Sequence, residues 1–353
     1  MDYVSLLAKE GSRVLITGDS LSYNRHPYDS EVRDNAHECG VGMESWSFRL
    51  RDALFTSGSQ FIYGDEIAFS CKTICGIDNM SAVPNTAMFG GRIQTLYPDG
   101  DVSFTVPVKN DKIILYFQRR MDSACVFDIA VDGNPEMQDV DTQGHMDDFA
   151  GYGLLQIVLP CCLDKTEHTV TISNIRGEKP KITVAGVGTK DIRVDLSGSG
   201  GKTTRWLIEN YEERIGKFHN LDLLILSLGA NDRVFVAPEV FRCDLMELLS
   251  KIFEDSPECR ILYVLPPASH YPPDPYKDIR LDTVYTSLDT AEVYDRVIRY
   301  VCNEFGEGQI DLLSLRELFN ADDFRKWRYD SIHLSRYGND VLFETVESKM
   351  GII

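Results

Sequence analysis

Three short motifs place a hydroxyl, an amide and an imidazole at the end of a predicted strand or just before a predicted helix. The first motif is Gly18-Asp19-Ser20-Leu21, which follows the apolar, β-branched run at residues 13–17. That run predicts a buried strand, so the Ser20 hydroxyl would project from the carboxyl edge of a sheet, where α/β proteins bind ligands. A Gly-Asp-Ser turn after a strand is also common as a simple loop or helix cap, so this motif alone does not assign catalysis.

The second motif ends the most apolar strand predicted in the chain, at residues 221–228. It contains Gly229-Ala230-Asn231-Asp232, which would bring the Asn231 amide to the same sheet edge as Ser20. An amide in that position can donate a hydrogen bond to an oxyanion. The alternative is that Asn231 and Asp232 cap the helix or turn that follows them.

The third motif lies near the carboxyl end of the chain and is Asp330-Ser331-Ile332-His333. Because Asp330 and His333 lie three residues apart on one loop, the Asp330 carboxylate can fix the tautomer of the His333 ring, whose far nitrogen then faces a serine hydroxyl. An Asp and a His just before a helix also serve as a cap and a solvated ring. The conjunction of all three motifs, each at a strand end or a helix start, favours the catalytic interpretation.

Together the three motifs resemble motif blocks of the SGNH hydrolase superfamily, also called GDSL esterases. The resemblance covers residues 13 to about 55 and 190 to 350. It implies a flavodoxin-like, three-layer α/β/α fold in which Ser20 is the nucleophile, His333 the general base and Asp330 the third member of a triad. The same resemblance implies an oxyanion hole made of the Ser20 backbone N–H, a glycine N–H of block two and the Asn231 side chain.

Block two of the family falls on a glycine-rich stretch, residues 197–204, between a predicted strand and a predicted helix. Gly201 is the expected oxyanion donor because it directly precedes Lys202-Thr203, and an offset of one would select Gly200. The Gly-Gly-Lys-Thr sequence also resembles part of a P-loop. It lacks the GxxxxGK spacing, since position 196 is Leu, which argues against phosphate binding.

The elements around these motifs predict an α/β domain interrupted by a second, all-β domain. Turn residues separate strand-like runs at 61–69, 102–108, 113–117, 126–131, 154–159, 169–175 and 182–187. This pattern predicts an inserted, jelly-roll-like antiparallel β-sandwich over residues 57–189, with carbohydrate binding as its candidate role. Residues 1–56 and 190–353 would form the hydrolase domain with its parallel sheet. Its predicted strands are residues 13–17, 192–196, 221–228, 261–265 and 310–313, and its predicted helices are residues 43–55, 203–218, 238–253, 290–305 and 335–349.

The charge and the cysteine content argue against several classes of binding partner and site. Asp and Glu outnumber Lys and Arg by 55 to 36, and the net charge of −19 repels nucleic acids and anionic lipid surfaces. The nine cysteines lack the CxxC spacing of metal sites, and a disulfide framework is not expected.

Without a recognisable signal peptide or membrane span, we expect a cytoplasmic protein, with secretion open if a leader has been removed. The oligomeric state is left open.

The expected chemistry is two-step acyl transfer through an acyl-serine, with no metal or organic cofactor. The expected substrate is a small-molecule or glycan ester that carries a short acyl group, acetyl first, and lipase activity is disfavoured because no apolar lid is evident. The alternatives are an O-acyltransferase that uses the same triad and a sugar-binding module with an inactive hydrolase domain.

Two groups of side chains are candidates for contact with such a substrate. In the loop after the expected nucleophile, Tyr23, Arg25 and His26 cluster where a substrate would approach. The alternative is that they belong to an ordinary exposed loop. In the predicted sandwich, aromatic residues either stack on sugar rings or belong to the core. These are Tyr63, Phe89, Tyr97, Phe117 and Tyr152.

Overall fold

The computed structural model of the chain separates into two units. It describes residues 2–23, 45–75, 89, 92–119, 125–143, 154–267, 288–306, 308–319, 324–327 and 333–352. The first unit comprises residues 1–47 and 194–351, and the second comprises residues 48–193 and 352–353. The division after residue 47 differs from the predicted one after residue 56, because helix α3, defined below, continues into the second unit.

The described strands are listed here in chain order. They are β1 Ser12–Gly18, β2 Phe61–Tyr63, β3 Lys72–Cys75, β4 Gln94–Tyr97, β5 Val102–Val106, β6 Lys112–Gln118, β7 Val126–Val131, β8 Asn134–Asp141, β9 Leu154–Pro160, β10 His168–Arg176, β11 Ile182–Gly188, β12 Ile192–Leu196, β13 Leu223–Ser227, β14 Arg260–Leu265 and β15 Ile310–Ser314.

The described α-helices are shorter on average than the predicted ones. They are α1 Tyr3–Ala8, α2 Ser20–Tyr23, α3 Trp46–Thr56, α4 Thr204–Glu209, α5 Asp232–Phe235, α6 Pro238–Asp255, α7 Leu288–Glu304, α8 Leu315–Leu318, α9 Phe324–Trp327 and α10 Arg336–Met350. The predicted helix at 203–218 is α4 followed by a separate π-helical turn, Glu212–Gly216. None of the helices in the described ranges is long and apolar enough to cross a membrane.

The first unit is built on a five-stranded sheet with the order β12-β1-β13-β14-β15. The pairs β1–β13, β13–β14 and β14–β15 are parallel. Numbered within this sheet along the chain, the order is 2-1-3-4-5, which is the flavodoxin-like order. The α/β fold class is therefore confirmed. Every residue of β13 is buried, as expected for a central parallel strand that is covered on both faces.

The second unit contains two antiparallel sheets that contribute to one hydrophobic cluster. One sheet has the order β5-β10-β7-β8, and the other has the order β3-β4-β11-β6-β9 with β2 paired to β11. The cluster includes Phe104 and Ile172 from the first sheet and Leu115, Val184 and others from the second. The predicted strand at 61–69 is wrong beyond β2, because Gly64–Glu66 forms a 3-10 turn. The strands β3, β4 and β8 were not predicted.

Helix α3 lies at the predicted position and spans the division between the two units. The sequence analysis includes it in the hydrolase domain, whereas its residues from Phe48 onward belong to the second unit. The Phe55 ring lies 4.9 Å from the Tyr116 ring and 6.2 Å from the Phe89 ring, measured between centroids. Phe89 and Phe117 are buried, so they belong to the core rather than to a sugar-facing surface. Tyr152 lies outside the described residues.

The carboxyl end of β1 approaches β13 so closely that residue 18 has no room for a side chain. Gly18 has a φ of +139°, and a Cβ built on it would lie 1.9 Å from the Ser227 carbonyl oxygen. Asp19 N, one residue further on, donates to that same carbonyl at 2.9 Å. The glycine therefore determines how the chain leaves β1 toward Ser20.

Replacing Gly18 with Ala is expected to lower the free energy of unfolding by about 3 kcal/mol, through steric overlap together with backbone strain. Gly11→Ala is the matched control, because Gly11 also has a positive φ, +72°, but its built Cβ meets no atom within 4 Å. The control should lose only about 1 kcal/mol. Urea denaturation of both variants measures the difference, and equal losses would contradict the steric explanation.

Candidate active site

Backbone and side-chain hydrogen bonds join the carboxyl ends of three neighbouring strands. After β1, Asp19 N donates to Ser227 O at 2.9 Å at the end of β13, and Ser199 N donates to Gly18 O at 2.9 Å from the loop after β12. Thr17 Oγ1 also donates to Ser197 O at 3.0 Å. Since all three strands end at one edge of the sheet, the loops that carry the first two motifs and the glycine-rich stretch lie side by side there.

Ser20 is the first residue of α2 and lies directly after the Gly18 turn. The side chain of Asp19 holds this turn, because its Oδ1 accepts from Leu21 N at 2.9 Å. Ser22 N and Ser22 Oγ both donate to Asp19 O, at 3.2 and 2.7 Å. Ser20 itself is 7% exposed. The backbone on both sides of the hydroxyl is therefore fixed by short local bonds.

The side chain of Asn231 contacts the glycine-rich loop rather than capping its own helix. Its Nδ2 donates to Lys202 O at 3.0 Å, and it makes no capping bond to α5. The capping interpretation of Asn231 is therefore wrong. Gly201, which precedes Lys202, has a φ of +73° and open space where a side chain would be, so only glycine adopts this conformation without strain. The structure thus brings Asn231 beside the Lys202–Thr203 peptide, one residue after Gly201.

The carboxylate of Asp232 also binds a neighbouring element instead of its own helix. Thr204 N, at the start of α4, donates to its Oδ1 at 3.0 Å and to its Oδ2 at 3.3 Å. Asp232 is fully buried, and burial raises its pKa to about 6 despite these hydrogen bonds. Sequence reasoning did not predict this contact, and the only signal for it was the position of Asp232 next to Asn231.

His333 lies immediately before the turn that starts α10. Ser335 is the N-cap residue of that helix, and its hydroxyl oxygen accepts from Gly338 N at 3.1 Å. The His333 side chain is half-buried. In its charged form it lowers the pKa of Asp19, so its ring lies within electrostatic reach of the residue before Ser20. Asp330, Arg25 and His26 lie outside the described residues, as does the side chain of Tyr23, the last residue of α2.

Asp19 is the most strongly perturbed carboxyl group beside the candidate nucleophile. Its pKa is raised to about 7, chiefly by burial and to a smaller extent by the nearby Asp232 carboxylate. The hydrogen bond from Leu21 N and the charges of His333 and Arg233 oppose this increase. Within the described part of the chain, Asp19 Oδ2 has no hydrogen-bond partner. Near neutral pH the group is therefore poised between its charged and neutral forms.

Replacing Asp19 with Asn removes this titration while Oδ1 can still accept from Leu21 N. The folded-state pKa of about 7 lies above the value of about 3.9 in an unfolded chain, so the folded wild type holds the proton more tightly. Relative to the variant, the wild type's free energy of unfolding should therefore be largest at low pH. It should fall as the pH rises toward 7, by at most about 1.4 kcal/mol per pH unit. Urea denaturation of both proteins between about pH 5.5 and 8 measures this difference, and a difference independent of pH would contradict the assignment.

Several solved structures have a similar chain trace at low sequence identity. A peptidoglycan O-acetylesterase aligns at a TM-score of 0.43 and 15% identity, covering 99% of this chain and 95% of that chain. A family two carbohydrate esterase from Clostridium thermocellum, solved with cellohexaose, aligns at 0.35 and 11%, covering 83% and 100%. An acetylxylan esterase from Geobacillus stearothermophilus aligns at 0.35 and 19%, covering 45% and 73%. These values are too low to carry those activities over to this chain.

A family model gives the more direct result. No curated protein matches the sequence. The model of the GDSL-like lipase/acylhydrolase family, however, matches residues 180–341. That stretch contains Gly201, Asn231, Asp330 and His333, whereas Ser20 precedes it. Residues 180–341 are thus a GDSL-like lipase/acylhydrolase domain, the domain of an ester hydrolase, and the predicted family is confirmed for this part of the chain.

Proposed function

We propose that this ester hydrolase removes short acyl groups, acetyl above all, from a carbohydrate or a similarly polar alcohol, with Ser20, His333 and Asp330 as its triad. The observation that carries the proposal is the pair of hydrogen bonds Asp19 N to Ser227 O and Asn231 Nδ2 to Lys202 O. These bonds hold a serine and an amide at one sheet edge, as acyl transfer requires. The charge of His333, which acts on Asp19, gives further support.

In the first half of the reaction, Ser20 Oγ attacks the ester carbonyl carbon while His333 takes the hydroxyl proton. The carbonyl π electrons move to the oxygen, which becomes the oxyanion of a tetrahedral intermediate. When the carbonyl re-forms, the bond to the alcohol oxygen breaks, and His333 returns the proton to that leaving group. Asp330 would hold the His333 ring in the tautomer that accepts from Ser20 and would stabilise the imidazolium.

In the second half, water attacks the acyl-serine and His333 takes one of its protons. Collapse of the second tetrahedral intermediate releases the carboxylic acid and returns the proton to Ser20 Oγ. The oxyanion in both halves would be stabilised by the N–H groups of Ser20 and Gly201 and by Asn231. The Asn231 amide carries two N–H bonds. One donates to Lys202 O, and the second is the donor proposed for the oxyanion.

The preference for a polar, uncharged alcohol rests on charge and on one exposed aromatic side chain. A net charge of −19 disfavours approach to anionic lipid surfaces. Phe235 is 71% exposed, and its backbone N donates to Asn231 O at 3.1 Å, so it lies one turn from the Asn231 amide. An exposed ring beside the reaction centre offers a face on which a sugar ring can stack. We therefore propose Phe235 as a contact for the alcohol part of the substrate.

Ser20→Ala is expected to lower kcat for p-nitrophenyl acetate by more than about 10³-fold, because no other hydroxyl can form the acyl-enzyme. Ser22→Ala is the matched control, since Ser22 is a buried serine on the same helix that only donates to Asp19 O. The measurement is turnover over a series of acyl chain lengths, with acetate release from acetylated oligosaccharides and labelling by a fluorophosphonate in parallel.

Rates that fall steeply beyond acetyl would support the proposed acyl group, and labelling of wild type and Ser22→Ala but not Ser20→Ala would support the nucleophile. Undiminished turnover by Ser20→Ala would contradict the whole assignment. Products formed only in the presence of a sugar acceptor would instead identify a transferase.

Phe235→Ala is expected to raise KM for an acetylated oligosaccharide by about tenfold, the equivalent of one lost ring contact of about 1.4 kcal/mol. The kcat for p-nitrophenyl acetate should not change, since that substrate has no sugar to stack. Tyr300→Ala serves as the control because Tyr300 is also exposed but lies near the other end of the strands, toward the end of α7. An unchanged KM in Phe235→Ala would remove Phe235 from the substrate site.

A further inference from the structure

Trp46 links two parts of the first unit that are far apart in sequence. Its indole Nε1 donates to Leu21 O at 2.9 Å, and its backbone N donates to Asn339 Oδ1 at 3.1 Å. Leu21 is the neighbour of Ser20, and Asn339 lies in the first turn and a half of α10, which His333 precedes. Trp46, Leu21 and Asn339 are all buried. Because water cannot replace these partners, breaking either bond leaves a polar group unpaired in the interior.

The Asn339 amide holds the other end of this link. Its Nδ2 donates to Leu334 O at 3.2 Å and to Ser335 O at 2.9 Å, so both amide protons and the amide oxygen are used. Leu334 is buried and directly follows His333. The backbone between His333 and α10 is therefore tied by one side chain to Trp46, and through Trp46 to the residue after Ser20.

The Ser20 end of the link is fixed from two sides. Leu21 N donates to Asp19 Oδ1 at 2.9 Å, and Leu21 O accepts from Trp46 Nε1. Both backbone polar groups of Leu21 are thus bound, which leaves the peptide that follows Ser20 little freedom to rotate. Since Ser20 begins α2 after a strand and His333 precedes a separate helix, their spacing depends on such tertiary bonds as well as on the sheet.

We propose that Trp46 and Asn339 are positioning residues, a buried bridge that sets the distance between Ser20 and His333 for proton transfer. This inference rests on the proposed function, in which these two side chains exchange a proton. Neither bridge residue touches the substrate. Their loss should therefore impair the chemical step, while the binding of substrate should change little. A misplacement of reacting groups by about 1 Å can cost on the order of 10²-fold in rate.

The test compares Trp46→Phe, Asn339→Leu and the double variant with wild type. Each single change is expected to lower kcat for p-nitrophenyl acetate and the rate of fluorophosphonate labelling of Ser20 by about 10- to 100-fold, with KM within about twofold. Because both residues belong to one bridge, the double variant should lose little more than the worse single variant. Should Asn339→Leu fail to fold, Asn339→Asp takes its place in the cycle.

Tyr211→Phe is the control for a loss of stability alone. Tyr211 is buried and its hydroxyl donates to Lys251 O at 3.1 Å near the end of α6, toward the opposite edge of the sheet. It should lower the thermal midpoint as Trp46→Phe does, while kcat is unchanged. All rates are measured well below each variant's midpoint.

The outcomes separate this inference from the proposed function. Turnover that depends on Ser20 but is undiminished in Trp46→Phe and Asn339→Leu would overturn the bridge alone. Fold-losses that multiply in the double variant, or a similar loss of kcat in Tyr211→Phe, would also overturn it. Equal turnover by wild type and Ser20→Ala would overturn the proposed function and the bridge together.

Discussion

The contact between Gly18 and Ser227 is the constraint on which the site geometry depends. Two backbones approach there with no side chain between them, and the next amide along, Asp19 N, donates to Ser227 O. The carbonyl at the end of β13 is thereby shared between strand pairing and the loop that carries Ser20. Four residues after Ser227, the same chain presents Asn231. The separation between serine and amide is thus set by main-chain geometry rather than by flexible side chains.

Burial of charge is the second constraint at this edge of the sheet. Asp19 and Asp232 are both fully buried, and the Asp232 carboxylate makes Asp19 harder to ionise. His333 acts in the opposite sense on Asp19 when its ring is charged. In the proposed mechanism the ring gains a proton during each attack, so the ionised form of Asp19 is favoured at that moment. The charges around the nucleophile are therefore coupled, although Asp19 takes no part in bond making.

The sequence predicted elements well where burial alone determines them. The apolar run at 221–228 contains β13, and the alternation of strands and helices predicts the parallel sheet. The prediction from the sequence was wrong or incomplete where contacts between distant parts of the chain determine the structure. Strand β8 has one buried residue among eight and contains Pro135, so its pattern resembles a loop, and it is held as an edge strand by β7. Helix α3 has the predicted period, but the period does not predict that its residues are divided between the two units.

Ser20, Asn231 and His333 are candidates from the sequence alone because their residue types and their order along the chain match the family motifs. The contacts that orient them could not be predicted. The bonds from Thr204 N to Asp232 and from Trp46 to Leu21 O and Asn339 join residues that are 25 to 293 positions apart. Nothing in the local sequence marks a tryptophan as a donor to a distant carbonyl. These hydrogen-bond partners can be identified only from the folded structure, in which the sheet brings the strand ends together.

Asn231 and Asp232 bind the glycine-rich loop through its main chain, at Lys202 O and Thr204 N. Every residue other than proline has the same main-chain donor and acceptor, so these two bonds do not require a particular side chain at position 202 or 204. Mutations can therefore alter the side chains that the loop shows to an incoming molecule without releasing the loop itself. The arrangement allows the recognition of new esters to evolve separately from the main-chain geometry of the proposed oxyanion hole.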